Sequence, residues 1–307
     1  MEKKVANERL EPFVSVIVPV YNDARRIVKC IEALINQTYP RDRYEILIVD
    51  NGSTDNTCSV IKKYPVKLLI EDKKQSSYAA RNKGIKNAVG EIIAFTDSDC
   101  IPAPNWIEKG VKNLLQKPNC GLVAGRINIF FRKPNKPNAV ELYDSITNFK
   151  QKEDLEIRRF GSTANVFTFK SVFDKVGLFN DSLKSGGDNE WGRRVFSYGY
   201  SQIYADDVSV AHPARDSFSQ LYKRHTRLTG GCYEQYWRGS FRAYIKELLK
   251  SIKSILGLSV KIILGLYPVK TLKGAKKRIQ FFTVFTFVQI INNFERTRLL
   301  LGGKPKR

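Results

Sequence analysis

FVSVIVPVYND, residues 13–23, begins as a run of mostly β-branched apolar residues and ends abruptly in polar ones. Over 13–20 the run is nearly continuous, which marks a strand covered on both faces. Asn22 and Asp23 follow as candidate helix N-caps, and Ile27, Cys30, Ile31, Leu34 and Ile35 recur at helical spacing. Working outward, YEILIVD closes at Asp50, VKLLI covers 66–70 and EIIAFTD closes at Asp97. Helices are predicted between them near 55–64 and from about Ser77 to Ala88. This strand–helix alternation with short loops predicts an α/β protein with a mainly parallel central sheet. Farther on, PNWIEKGVKNLLQ (104–116) reads as a helix with proline near its start. CGLVAGRINIFF (120–131) reads as a long strand, and the helix DNEWGRRVFSYG (188–199) precedes the strand SQIYADDVSVAH (201–212).

The chain has 307 residues, 42% of them hydrophobic and 11% aromatic, which excludes a disordered or fibrous protein. Its formal charge of +22 is unevenly spread, because residues 215–307 carry 20 Lys/Arg against 4 Asp/Glu. Such a tail meets nucleic acid, an anionic membrane face, or only solvent. The five cysteines form no CxxC pair, which fits free thiols in a reducing compartment. MEKKVANERLEPF shows no apolar stretch of signal-peptide type.

In open parallel sheets, ligands bind beyond the carboxyl ends of the strands. Asp50, Asp97 and Asp99 fall there. If Asp97-Ser98-Asp99 continues the strand, both carboxylates face one ligand. Two hard oxygen donors suit Mg2+ or Mn2+, with substrate phosphates completing the shell. The plainer alternative is a solvated Asp-Ser-Asp turn.

PVYN at 19–22, VDNGSTD at 49–55, ARNKG at 80–84, GEIIAFTDSD at 90–99 and GGDNEW at 186–191 together resemble family 2 glycosyltransferases in order and spacing. The resemblance covers roughly residues 13–230. It implies a GT-A fold and inverting hexosyl transfer from a nucleotide-sugar, with a divalent metal. On that resemblance Pro19 and Tyr21 border the base, Asp50 holds base or ribose, and Arg81 lies near the diphosphate. Asp97 meets ribose or metal, and Asp99 the metal directly. Asp188 matches the general base that takes the acceptor hydroxyl proton. The family often has Glu-Asp where this chain has Gly187-Asp188, and Glu190 is a rival base. His212 matches a histidine that completes the metal shell in many relatives; its alternative is a structural role. Trp191 stacks on an acceptor sugar or belongs to the core. Processive members carry Gln-x-x-Arg-Trp; Gln220-Leu-Tyr-Lys-Arg224-His225 does not match it, so a single transfer per encounter is expected.

In the tail, Lys246, Lys250, Lys253 and Lys261 share an arc of roughly 80° at helical spacing. Leu248, Ile252, Ile255, Ile262 and Leu266 lie opposite, so 245–267 is predicted as an amphipathic helix ended by Pro268. Lys270, Lys273, Lys276, Lys277 and Arg278 precede a second apolar stretch, FFTVFTFVQII (281–291). Both stretches fall short of a spanning helix. Basic charge beside amphipathic helices reads as binding to an anionic membrane surface. A helical pair packed on the catalytic domain and a transmembrane hairpin are the alternatives. The expected domains are therefore an extension over 1–12, a catalytic domain over 13–237 and a basic helical tail over 238–307.

The resulting expectation is a cytoplasmic, peripheral membrane enzyme that takes a nucleotide-sugar, UDP-linked, to a lipid-linked or glycan acceptor. A sugar nucleotidyltransferase would carry a Gly-rich loop with lysine after the first strand, and VPVYND has neither. A nucleic-acid-binding protein would need stacking aromatics or a reading helix. The tail aromatics sit inside apolar runs, so no nucleic-acid partner is expected.

Overall fold

The computed structural model describes residues 11–237, 240–263 and 272–306. Most of the 1–12 extension, Leu266, Pro268 and Lys270 lie outside the described residues. Eight strands form one sheet in the order β3-β2-β1-β4-β7-β6-β8-β5. They are β1 (Val14–Val20), β2 (Tyr44–Asp50), β3 (Lys67–Ile70), β4 (Ile92–Thr96), β5 (Ile101–Pro102), β6 (Cys120–Phe130), β7 (Asn165–Phe169) and β8 (Ser201–Pro213). The helices of this part are α1 (Ile27–Ile35), α2 (Thr57–Ile61), α3 (Ser77–Asn87), α4 (Trp106–Gln116), α5 (Ala139–Thr147), α6 (Gln151–Arg158), α7 (Lys170–Val176) and α8 (Gly187–Ser197). Three follow: α9 (Phe218–Cys232), α10 (Phe241–Ile263) and α11 (Ala275–Leu300).

The expected parallel arrangement holds for β3, β2, β1 and β4. Beyond β4 the sheet changes sense: β7 runs antiparallel to both β4 and β6, and β5 antiparallel to β8. β1 lies between β2 and β4, although β2 follows it and β4 comes two strands later. That arrangement opens a crevice at the carboxyl ends of β1, β2 and β4.

Val14, Val16, Ile17 and Val18 are fully buried, so β1 is covered on both faces as its sequence requires. Gly84 of ARNKG is the reason α3 can lie against β1. A Cβ there would stand 2.5 Å from Ile17 Cγ2. Asn165 ties the antiparallel half together. Its Oδ1 accepts from Trp106 Nε1 (2.8 Å), and its Nδ2 donates to the carbonyls of Arg126 and Val208 (2.9 and 3.0 Å). Burying an amide is tolerable because every one of these groups is paired.

Two compact units divide the chain. The first holds residues up to 129, 149–182 and 187–212; the second holds 130–148, 183–186 and 213 onward. The expected boundary at 237 is therefore corrected. α5 and α9 belong with the tail because Val140, Leu142, Tyr143 and Leu221 share a buried core with Leu272, Phe281, Val284 and Val288. The second apolar stretch, 281–291, is thus largely core of the second unit. No helix among the described residues is long and apolar enough to cross a membrane.

Candidate active site

Asn22 sits in the left-handed region, φ 48°, and joins the loops after β1 and β2. Its backbone N–H donates to Ser53 Oγ (2.8 Å), and its Oδ1 accepts from the N–H of Thr54 (2.7 Å) and of Asp55 (3.3 Å). Asn22 and Asp23 are therefore not N-caps. The helix begins at Ile27, and Arg26 holds the cap position without a side-chain cap bond. Pro19 pairs in register with Val49, and Tyr21 stands exposed just past β1. Asp50 ends β2, buried. Its Oδ2 accepts from the N–H of Gly52 and Ser53 (3.1 and 3.0 Å), while its Oδ1 has no partner among the described residues. The Cys58 thiol neighbours this carboxylate: burial first, then the Asp50 charge and a hydrogen bond to Asp50, raise that thiol.

Residues 97–99 do not continue β4. The chain turns, with the Cys100 N–H bonded to the Asp97 carbonyl (3.0 Å), which corrects the expected extended run. The two carboxylates accordingly take different partners. Asp97 Oδ1 meets Arg81 Nη2 at 2.6 Å, and Asp99 Oδ2 meets Arg26 Nη1 at 3.1 Å. Arg81 is 4% exposed and its Nε lacks a partner, so in this state it positions Asp97 instead of offering an open cation.

β5 explains how a histidine 113 residues downstream arrives here. Ile101 pairs with Ala211 and Pro102 with Val210 in antiparallel register, which carries His212 alongside Cys100. His212 Nε2 lies 3.5 Å from Asp99 Oδ1, and the Phe149 ring packs against the imidazole at 4.6 Å. Ligand atoms of Asp99, Cys100 and His212 lie within 4.8 Å of one another. Burial holds the Cys100 thiol well above its ordinary range, and the Asp97 and Asp99 charges add to that. The carboxylate and imidazole are donors that suit Mn2+ or Mg2+.

Sequence reasoning missed Arg26 and Ser98. Arg26 bridges Asp23 Oδ1 (2.6 Å) and Asp99, and Ser98 Oγ donates to Asp23 Oδ2 (2.7 Å). Burial pushes the Asp23 carboxyl up, and the bonds from Arg26 and Ser98 oppose the shift. The signal was present in Asp23 and Arg26 directly after β1, where a charged pair has no packing task.

GGDNEW opens α8. Asp188 lies in its first turn and accepts its neighbour's N–H, Asn189, at 3.0 Å. Its charge also raises the half-buried Asp154 carboxyl, after burial and beside other charges. The rival base is occupied: Glu190 takes both Nε and Nη2 of Arg194 (2.5 and 3.0 Å), and Arg194 in turn holds the carbonyls of Val176 and Leu178. Gly187, where the family resemblance leads one to expect Glu, has a steric reason. A Cβ there would stand 2.8 Å from the Tyr78 ring. Trp191 is corrected to the core. It is 2% exposed, stacks on Phe173 at 4.7 Å and donates Nε1–H to the Gly177 carbonyl, so it offers no face to a sugar.

Residues 15–177 match the sequence profile of glycosyl transferase family 2. The chain is 40% identical over 262 residues to glycosyltransferase AglE of Haloferax volcanii, covering 84% of this chain and 82% of that protein. It is 25% identical over 228 residues to a Methanococcus voltae enzyme named dolichyl N-acetyl-alpha-D-glucosaminyl phosphate 3-beta-D-2,3-diacetamido-2,3-dideoxy-beta-D-glucuronosyltransferase, covering 69% and 70%. Among solved structures it resembles the mannosyltransferase PcManGT of Pyrobaculum calidifontis in complex with GDP-Man and Mn2+. There the TM-score is 0.64 at 20% identity, over 95% of this chain and 87% of that one. That likeness establishes the GT-A fold.

Proposed function

The chain belongs to glycosyl transferase family 2, and from that premise we propose that it moves one sugar, with inversion, from a nucleotide-sugar to a hydroxyl of a lipid-linked or glycan acceptor. The observation that carries the reading is the meeting of Asp99 with His212 just past the end of β4. Asp50, Pro19 and Tyr21 hold the nucleoside, and Arg81 fixes Asp97 where ribose or diphosphate enters. Asp99 and His212 would hold a divalent cation. Such an ion, when bound, offsets charge on the departing diphosphate. Asp188 takes the acceptor proton as the hydroxyl oxygen bonds to the anomeric carbon and the bond to the diphosphate breaks. The lipid-linked acceptor draws on the Methanococcus relative's name and on the tail.

The test is a thermal-shift screen of UDP- and GDP-sugars with and without Mn2+. A donor at a hundredfold excess over Kd stabilises by about 2.7 kcal/mol. A shift for a UDP-sugar that needs Mn2+ is expected. No shift with any nucleotide-sugar overturns the reading.

The peripheral membrane placement, on the cytoplasmic face, is part of the proposal. α10 is reversed relative to an ordinary surface helix. Its buried Ser251 bonds to Gln289 and Asn293, Tyr244 bonds to Thr297, and Glu247 pairs with Arg296. Phe241, Ile245, Leu249, Ile252 and Leu256 are exposed, between Arg242, Lys246, Lys250 and Lys253. An outward apolar stripe edged by cations suits an anionic bilayer surface, at about 1 kcal/mol per basic residue. Leu249→Glu with Leu256→Glu is therefore expected to cut sedimentation with anionic vesicles at least tenfold at unchanged Tm. Equal sedimentation of parent and variant sinks the placement.

A further inference from the structure

The second unit contains a cationic cluster that the transfer chemistry above does not use. Asp144, at 1% exposure, spends both carboxylate oxygens on Arg215. Oδ2 accepts its backbone N–H (3.0 Å) and Oδ1 its Nη1 (3.2 Å). Arg224, in the second turn of α9, is left with a neutral partner, its Nη2 donating to Asn148 Oδ1 at 2.6 Å. Its Nη1 lies 3.4 Å from His225 Nε2. Burial first, then the Arg224 and Arg215 charges, lower His225 to about 3, so the ring is neutral and supplies no counter-charge. Burial also lowers Arg224 to about 10, with Arg215 and Arg227 contributing, and it remains charged at pH 7. Arg227 makes no ion pair among the described residues. Arg215 and Arg224 thus share the neighbourhood of a single carboxylate that Arg215 already engages, and Arg227 adds a third positive charge near Arg224.

A second observation is independent of charge. Asn148 is 6% exposed, and its Nδ2 is buried without a partner. The amide cannot be flipped to satisfy it, because a guanidinium only donates and so fixes Oδ1 toward Arg224. A buried amide donor with nothing to donate to costs free energy unless an acceptor arrives. Beside it, Arg224 is a partly buried residue.

We propose that Arg224, Arg215 and the Asn148 amide form a site for a phosphate group. Tetrahedral phosphate oxygens accept from two guanidiniums and one amide at once, which a chloride or a planar carboxylate does less completely. The site itself stands without the transfer reading; only its carrier rests on it. That carrier is the phosphate of a lipid-linked acceptor or the diphosphate of the donor.

The experiment uses the full chain and three probes, measured by calorimetry and thermal shift. They are inorganic pyrophosphate without metal, a long-chain polyprenyl phosphate in micelles against the unphosphorylated polyprenol, and UDP with Mn2+. The parent is expected to bind pyrophosphate, and Arg224→Gln to weaken it at least tenfold. Loss confined to the polyprenyl phosphate names the acceptor as carrier, and loss confined to UDP names the donor. Asn148→Asp supplies an internal carboxylate to Arg224. It should abolish pyrophosphate binding while raising Tm, which tests the site even if Arg224→Gln fails to fold. Parent protein that ignores both pyrophosphate and polyprenyl phosphate, or an Asn148→Asp chain that binds them as the parent does, overturns the proposal. Neither result depends on whether any nucleotide-sugar is a donor.

Discussion

Asp188→Asn enzyme should bind donor as the parent does and lose about 10²–10⁴ in kcat, the usual contribution of a positioned general base. The substitution keeps the shape and the first-turn position in α8 but cannot accept a proton. Glu190→Gln is the discriminating control. Glu190 is committed to Arg194, which clamps the carbonyls of Val176 and Leu178. Its loss should lower stability by about 1 kcal/mol or less, as for a partly exposed pair, and leave kcat near the parent's. The measurements are kcat with saturating donor and Tm for both variants. If Glu190→Gln loses the turnover and Asp188→Asn keeps it, the base is misassigned.

The parallel half of the fold was legible because buried strands and amphipathic helices leave periods in the sequence. β1, β2 and β4 came out within about a residue of their observed ends. In the antiparallel half the long strands β6 and β8 were legible too, but the two short strands that join them to the rest were not. β7 is five residues and β5 two, too short to carry a period, yet their pairings bring His212 to Asp99. The resemblance supplied His212 as a candidate, but only the register of β5 on β8 gives it a neighbour. Trp191 and the 281–291 stretch each had two readings in the sequence for a common reason. A large apolar side chain looks the same in sequence whether it meets a ligand, a membrane or a core, and tertiary packing decides. α10 shows the converse case: its period was read, but polar Ser251 turned out to be the inward face.

Asp99→Asn is the second large effect, and it tests the cation proposal by comparing binding with and without metal. Asp99 holds Arg26 through one oxygen and faces His212 with the other. The amide keeps a similar shape but loses the charge that attracts a hard dication. UDP affinity in Mn2+ should fall at least tenfold, about 1.4 kcal/mol, while UDP affinity in EDTA stays at the parent value. His212→Ala should fall in the same direction by less, since it removes one neutral donor and leaves the carboxylate. Arg26 adds an opposing control. It is half exposed and pairs with the other oxygen of the same Asp99 carboxylate whose charge a cation would need. Arg26 and Mn2+ therefore compete, and Arg26→Ala should bind Mn2+ alone more tightly than the parent by calorimetry. If Asp99→Asn leaves Mn2+-dependent UDP binding intact, the metal is held elsewhere. If Arg26→Ala weakens Mn2+ instead, Arg26 orients Asp99 for the cation and does not compete with it.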